Sequence, residues 1–259
     1  MRAAYYEKNG AARDVLRVGA VDTPTPGPGE VRVKLRTSGV NPSDVKAREG
    51  RTRKLAYPRV IPHSDGAGEI DMVGDGVPAA RKGERVWVWN GQWKRPFGTC
   101  AEYIVVPAAL ASALPATASY EAGADYTIDY KRENVGERIM AATGKTGVDA
   151  VVEMDLAANA KLYPGLLRPR GHVVVYGTGS AEATIPAQPA LVAAMKIEFV
   201  YVYELTAPER EAAVSAINRM LGSNALVNNV ALSLPLSDIV AAHEAVEQGQ
   251  TMGNIVITL

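Results

Sequence analysis

Alternation is the clearest signal in the first half of the chain. Between Glu30 and Thr37, Val31, Val33 and Leu35 face one way while Arg32, Lys34 and Arg36 face the other. That period of two marks a half-buried strand. Short runs at Arg2–Glu7, Leu16–Val21, Gly66–Val73, Arg85–Trp89 and Thr99–Val106 are strands on the same reading. Turn clusters separate them, at Pro24-Thr25-Pro26-Gly27-Pro28-Gly29 and at Lys82-Gly83-Glu84. Several short strands in about 100 residues predict a compact barrel or sandwich-like domain. One helix interrupts them. Asn41-Pro42-Ser43-Asp44 is a helix start, with Asn41 or Ser43 as the cap, leading into a short helix to Arg48.

After Asp125 the rhythm changes to alternating strands and helices. Strands are predicted at Tyr126–Asp129, Val148–Met154 (buried), Gly171–Tyr176 and Ile197–Tyr203. Helices are predicted from Asn134 to Ala142, at Leu156–Leu167, near Ala190–Met195 and from Thr206 to Leu221. The end of the chain reads strand, helix, strand at Val230–Leu232, Leu236–Gln248 and Asn254–Leu259. A strand-helix alternation predicts an α/β parallel sheet.

Composition narrows the classes. Lys+Arg and Asp+Glu both number 28, and zero net charge argues against a nucleic-acid binder. A single cysteine, Cys100, excludes an intrachain disulfide framework and suits a reducing, cytoplasmic setting. The start, Met1-Arg2-Ala3-Ala4-Tyr5-Tyr6-Glu7-Lys8, is too polar for a signal peptide. No apolar run reaches the ~20 residues that span a bilayer, so no membrane partner is expected.

Six stretches in chain order carry a family resemblance. They are Gly39-Val40-Asn41-Pro42-Ser43-Asp44, Ile61-Pro62-His63-Ser64-Asp65-Gly66-Ala67-Gly68 and Gly98-Thr99-Cys100-Ala101-Glu102-Tyr103. Then come Val151-Val152-Glu153-Met154, Val174-Val175-Tyr176-Gly177 and Met252-Gly253-Asn254-Ile255-Val256. The ordered set resembles the zinc-independent quinone oxidoreductases, the zeta-crystallin-like group of the medium-chain dehydrogenase/reductase superfamily. The resemblance implies a GroES-like β-rich catalytic domain over residues 1–118, a Rossmann-like parallel sheet over 119–225 and a C-terminal return to the catalytic domain over 226–259. It implies NADPH as cofactor, a quinone or enone as small-molecule substrate, and a homodimer through the Ile197–Tyr203 edge strand.

The same resemblance exposes a gap. Family members follow a stretch like Ser119-Tyr120-Glu121-Ala122-Gly123-Ala124 with a helix, the first Rossmann strand, its Gly-rich loop, a helix and a second strand. Here that stretch runs directly into Asp125-Tyr126, so two βα units, on the order of 60 residues, are absent and the Rossmann-like sheet is expected to be truncated. The missing loop normally cradles the dinucleotide pyrophosphate at a helix N-terminus. Gly74-Asp75-Gly76-Val77-Pro78-Ala79 does not replace it, because it lies between β-domain strands with Pro78 where a helix should begin. Losing two strands from a sheet opens a gap of about 15 Å at ~4.8 Å per strand. The strand at Tyr126–Asp129 is therefore expected beside Val148–Met154, or lost.

Candidate catalytic residues are Asn41, Asp44 and Asp65, with helix capping as the plain alternative for the first two. Candidate cofactor contacts implied by the resemblance are Tyr130 and Lys131 at the adenosine phosphate, Met154, Gly177, Thr178 and Gly179 at the nicotinamide end, and Gly253 and Asn254 near the C-terminus, where the family usually has Lys in place of Asn254. Zinc-using relatives carry Cys and His ligands where this chain has Ser43 or Asp44 and His63-Ser64-Asp65. A zinc needs three or four convergent ligands, so no metal is expected. His63 reads as a turn residue near the cleft, His172 and His243 as structural or solvated, and Cys100 as a small buried hydrophobe. The expected activity is NADPH-dependent quinone or enone reduction with cofactor binding impaired. The alternatives are a cofactor-independent enzyme reusing the interdomain cleft and a non-catalytic binding protein.

Overall fold

The alternating run at Glu30 forms the central strand of the first half. The computed structural model describes residues 1–52, 54–115, 128–223, 225, 229–249, 251 and 253–259. The chain is mixed α/β and divides into two compact units, Met1–Ala122 with Glu211–Leu259, and Gly123–Arg210.

In the first unit, β1 (Arg2–Tyr5) pairs antiparallel with β2 (Arg17–Ala20) around α1 (Ala12–Val15). The long β3 (Glu30–Val40) leads into α2 (Pro42–Glu49). β4 (Gly66–Val73), β5 (Arg85–Val88), β6 (Tyr103–Pro107) and β7 (Ala111–Ala113) follow. β3 pairs antiparallel with both β4 and β6, and β5 bridges β4 to β7. Val31, Val33 and Leu35 are buried, as the alternation requires, and pack with Ile70, Val86, Val88, Ile104 and Val106. Burying each such side chain stabilises by about 1.5–3 kcal/mol. Gly68 lets β4 lie against β3, because a Cβ there would sit 2.1 Å from the Lys34 carbonyl oxygen.

In the second unit, α3 (Val135–Ala142) starts at Asn134, whose side chain accepts the Glu137 N–H. β8 (Val148–Glu153), α4 (Leu156–Asn159), β9 (Leu167–Val175), α5 (Ala187–Val192) and β10 (Lys196–Phe199) follow. The sheet is parallel, in the order β10-β9-β8. Leu156, Ala160, Tyr163, Leu167, Val173 and Val175 form its core.

Four expectations change here. Leu156–Leu167 is helical only through Asn159. Pro164 and Gly165 turn the chain through a short 3-10 segment, and Leu167 already belongs to β9; proline disfavours helix in the residue before it. Ile197–Tyr203 is extended only to Phe199, because β9 ends at Val175 and the last ladder bond runs from Val200 N–H to the Val175 carbonyl. β8 is not a buried strand: Val152 is 75% exposed. The predicted strand at Tyr126–Asp129 lies partly outside the described residues, and Ile128 and Asp129 join no strand.

α6 (Ala207–Gly222) leads back to the first unit, where Trp87 Nε1 donates to Asn218 Oδ1 at 3.0 Å. β11 (Val230–Pro235), α7 (Ile239–Gln248) and β12 (Asn254–Thr258) finish the chain. β12 pairs antiparallel with the end of β3 and parallel with β11. α7 buries Ile239 and Ala242 in a second core with Ala3, Ala4, Tyr6, Val60, Ile61 and Cys100.

Candidate functional site

Asn41 is the residue before α2, with extended backbone (φ −109°, ψ 155°). Its side chain and that of Asp44 form a reciprocal capping box at the helix start. In that box Asp44 Oδ2 accepts the Asn41 backbone N–H at 2.9 Å, and its side chain is buried. Asn41 Nδ2, a donor that capping does not use, donates to Asp65 Oδ2 at 2.5 Å. The structure thus brings Asn41, Asp44 and Asp65 together, with Asp44 supporting Asn41 and Asn41 holding Asp65.

Asp65 is open to solvent on one side, and protein atoms crowd its carboxyl on the other. That desolvation raises its pKa, and the Asn41 hydrogen bond opposes the rise. The Asp65 carbonyl is fixed by Gly39 N–H at 2.9 Å and by Thr99 Oγ1 at 2.7 Å. Behind it, Thr99 Oγ1 meets Ser38 Oγ at 2.8 Å, Ser38 Oγ meets His63 Nδ1 at 2.8 Å, and His63 Nε2 meets His243 Nε2 at 3.0 Å. His63 is not a turn residue at the cleft and His243 is not solvated; both are fully buried. The two rings meet edge to edge through these nitrogens, 5.2 Å between centroids and 20° from coplanar. Sequence reasoning missed this pair because the partners lie 180 residues apart.

In the second unit, Met154 follows β8 and is 62% exposed. Gly177, Thr178 and Gly179 form the turn after β9. Asp155, which sequence reasoning did not single out, occupies this turn. Its Oδ1 accepts Gly179 N–H at 2.8 Å and Ala158 N–H, at the start of α4, at 3.3 Å. A Cβ on Gly179 would lie 2.6 Å from Asp155 Oδ2, and one on Gly177 would lie 2.4 Å from the Met154 carbonyl oxygen. These glycines make room for the chain itself. The sequence signal for Asp155 was its place just before a helix. Glu153 is buried and accepts from Tyr163 Oη and the Asp155 N–H, with Asn159 Nδ2 at 3.1 Å.

Tyr130 and Lys131 are exposed neighbours on an Asp129 turn, where Lys131 N–H donates to Asp129 Oδ1 at 3.1 Å. Gly253 has φ 131°, and Asn254 begins β12 by donating its N–H to the Asn229 carbonyl at 2.6 Å. A Cβ on Gly253 would meet that same carbonyl oxygen at 2.5 Å.

Comparison with known proteins places the fold and these motifs in a family. Residues 27–116 match the alcohol dehydrogenase GroES-like domain, and residues 122–257 match the zinc-binding dehydrogenase family. The chain belongs to that family, as a quinone-oxidoreductase-like member of the medium-chain dehydrogenase/reductase superfamily. It is 30% identical over 162 residues to the synaptic vesicle membrane protein VAT-1 homolog of Homo sapiens, covering 61% of this chain and 39% of the relative. It is 33% identical over 147 residues to a quinone oxidoreductase of Rattus norvegicus, covering 52% and 43%. The matched region thus spans about two fifths of the length of each of these two relatives. Among solved structures, an NAD-dependent alcohol dehydrogenase superposes with a TM-score of 0.84 at 21% identity, over 100% of both chains. A mycobacterial protein complexed with NADPH superposes with a TM-score of 0.81 at 20% identity, also over 100% of both. At those identities the likeness is one of fold.

The donors present do not suit zinc. Asn41 and Asp44 are committed to Asp65 and to the helix start. Both His63 nitrogens are engaged in the interior. Cys100 is buried, and burial pushes its thiol pKa far up, away from the thiolate that zinc binds. Among the described residues no three His, Cys, Asp or Glu side chains gather around a common point. After β9 and at the start of α4 a carboxylate of the chain, Asp155, already takes the Gly179 and Ala158 N–H groups, which disfavours a phosphate there.

Proposed function

We propose that the chain carries the substrate side of an NADPH-dependent quinone or enone reductase and that its grip on NADPH is impaired. The parent reaction is hydride transfer from the nicotinamide to a quinone or an activated enone. Two relatives support that reading, one a quinone oxidoreductase and one a fold neighbour complexed with NADPH. The substrate side rests on Asn41 and Asp65, with Asp44 holding Asn41 in place. The impairment rests on the absence from the sequence of the Gly-rich loop that would cradle the pyrophosphate, and Asp155 Oδ1 already accepts the Gly179 N–H after β9 and the Ala158 N–H in α4. A phosphate would have to displace that carboxylate and overcome its charge. We further propose a homodimer formed through the strand at β10.

Calorimetric titration with NADPH tests the reading. The expected result is no saturable binding at micromolar concentrations. A micromolar dissociation constant overturns the impairment. Quinone-dependent oxidation of NADPH, followed at 340 nm on the order of millimolar cofactor, tests the parent activity separately.

A second reading follows from the raised pKa of Asp65. A carboxyl adjusted upwards beside an amide can act as an acid or base without a cofactor. Turnover of an enone with no nicotinamide present would favour it.

A further inference from the structure

Ser38, Thr99, His63 and His243 contain enough geometry to fix where every proton lies. Thr99 has one hydroxyl hydrogen, and the Asp65 carbonyl at 2.7 Å can only accept it. Ser38 must then donate to Thr99 Oγ1 at 2.8 Å, which leaves Ser38 Oγ to accept from His63 Nδ1–H at 2.8 Å. His63 Nε2 is therefore the bare nitrogen, and His243 Nε2–H donates to it at 3.0 Å. His243 Nδ1 is left as an acceptor. It is buried with no hydrogen-bond partner, as is Arg48 Nε, a donor. We infer that these four side chains form a hydrogen-bonded chain of one fixed polarity that latches α7 to the segment carrying Asp65, and that the latch holds only while both imidazoles are neutral.

The chain cannot conduct a proton, because it ends on a backbone carbonyl. Its role is to position. It joins β3 through Ser38, the 61–66 segment through His63, Thr99, and α7 through His243. His63 adopts φ 75°, in a region that favours glycine, and its two side-chain hydrogen bonds offset the strain. Protonating either ring turns an acceptor into a donor. A proton on His63 Nε2 would set two donors face to face at 3.0 Å. A proton on His243 Nδ1 would add a second cation near Arg48. The charged group acting on His243 is Arg48 of α2, with its counterions Glu247 and Glu49, and the Asp65 carboxyl, two residues from His63, is turned to Asn41. Burial, then the neighbouring His243, holds His63 well below its ordinary value, and burial with Arg48 lowers His243 to about 3.

The sign follows from linkage. Both folded values lie below the unfolded value of about 6.5, so the latch contributes fully above pH 6.5 and is lost as pH falls. Each histidine adds up to a tenfold rise in the unfolding constant per pH unit of acidification below that point.

Nitrogen-15 NMR of the intact wild-type protein at pH 7.5 tests the tautomers. The expected spectrum has His63 as Nδ1–H and His243 as Nε2–H, both neutral. A charged ring, or His243 as Nδ1–H, overturns the inference. Urea unfolding between pH 7 and pH 5 tests the latch. The slope of the wild type should exceed that of His243→Gln by close to tenfold per pH unit. Equal slopes overturn it, and if the variant does not fold, the wild-type spectrum decides alone.

Discussion

Arg48 carries its charge where none of its side chain meets water. It donates to Glu247 and to the Gly10 carbonyl, tying α2 to α7 and to the loop after β1. Breaking a buried pair costs more than the pair contributes, because one charge is left without a partner. Arg48→Met removes the buried member, and Glu247, 29% exposed, can turn to solvent. A loss in urea denaturation at pH 7 smaller than the about 3–5 kcal/mol of a stranded buried charge is expected. The substitution also removes the cation that depresses His243, so the variant should lose less stability than the wild type between pH 6 and pH 4. A simple packing defect would leave that dependence unchanged. At this scale two short motifs name Asn41, Asp44 and Asp65 as candidates, and the structure places them within hydrogen-bond reach of one another. His63 was not legible in the sequence: its meaning lies in Ser38 and His243, and no local pattern connects them.

The elements divide by how much of their environment is local. β3 was legible because one face of it is buried and the other is not, and the alternation records that directly. α3 was legible through its Asn134 cap. Leu156–Leu167 was misread because Tyr163 is buried in the core on a turn, with its hydroxyl on Glu153, and an apolar residue on a turn mimics helical spacing. β8 was misread because a Val-rich run predicts burial on both faces only where both faces are covered. Among the described residues β10 is an edge strand, and the proposed dimer depends on it. Phe199 is 69% exposed there, and Tyr201 just beyond it is 58% exposed. An unpaired edge with aromatic side chains is a template for a second strand. Sedimentation velocity at micromolar concentration should give a species of twice the 27.5 kDa chain mass. A single monomer peak would remove the dimer.

Over the whole molecule, stability is unevenly distributed. Among the described residues, the first unit holds two hydrophobic cores and a seven-stranded sheet. Those of the second hold one small core under three strands, with Val152, Leu191, Val192 and Phe199 exposed. Free energies of opening follow the buried apolar contacts available to each cooperative region. Thermal unfolding should therefore proceed in two steps. Limited proteolysis should cut first within 128–210, leaving the β-rich unit protected. One transition seen alike by all probes would contradict this. The α/β class and the family were legible at this scale because the motifs recur in order along nearly the whole chain. The join between the two rhythms, at Ser119–Asp125, lies outside the described residues.

Cys100 gives the first unit a built-in clock. It is the only cysteine in the chain, has no exposed surface, and keeps its thiol protonated through burial. An alkylating reagent in excess can react only with molecules in which that core has opened. The rate of label uptake, followed by mass, reads the opening equilibrium of the β-rich unit in native buffer while reclosing outruns labelling, and the opening rate once it no longer rises with reagent concentration. It is blind to events in the other unit, which contains no thiol.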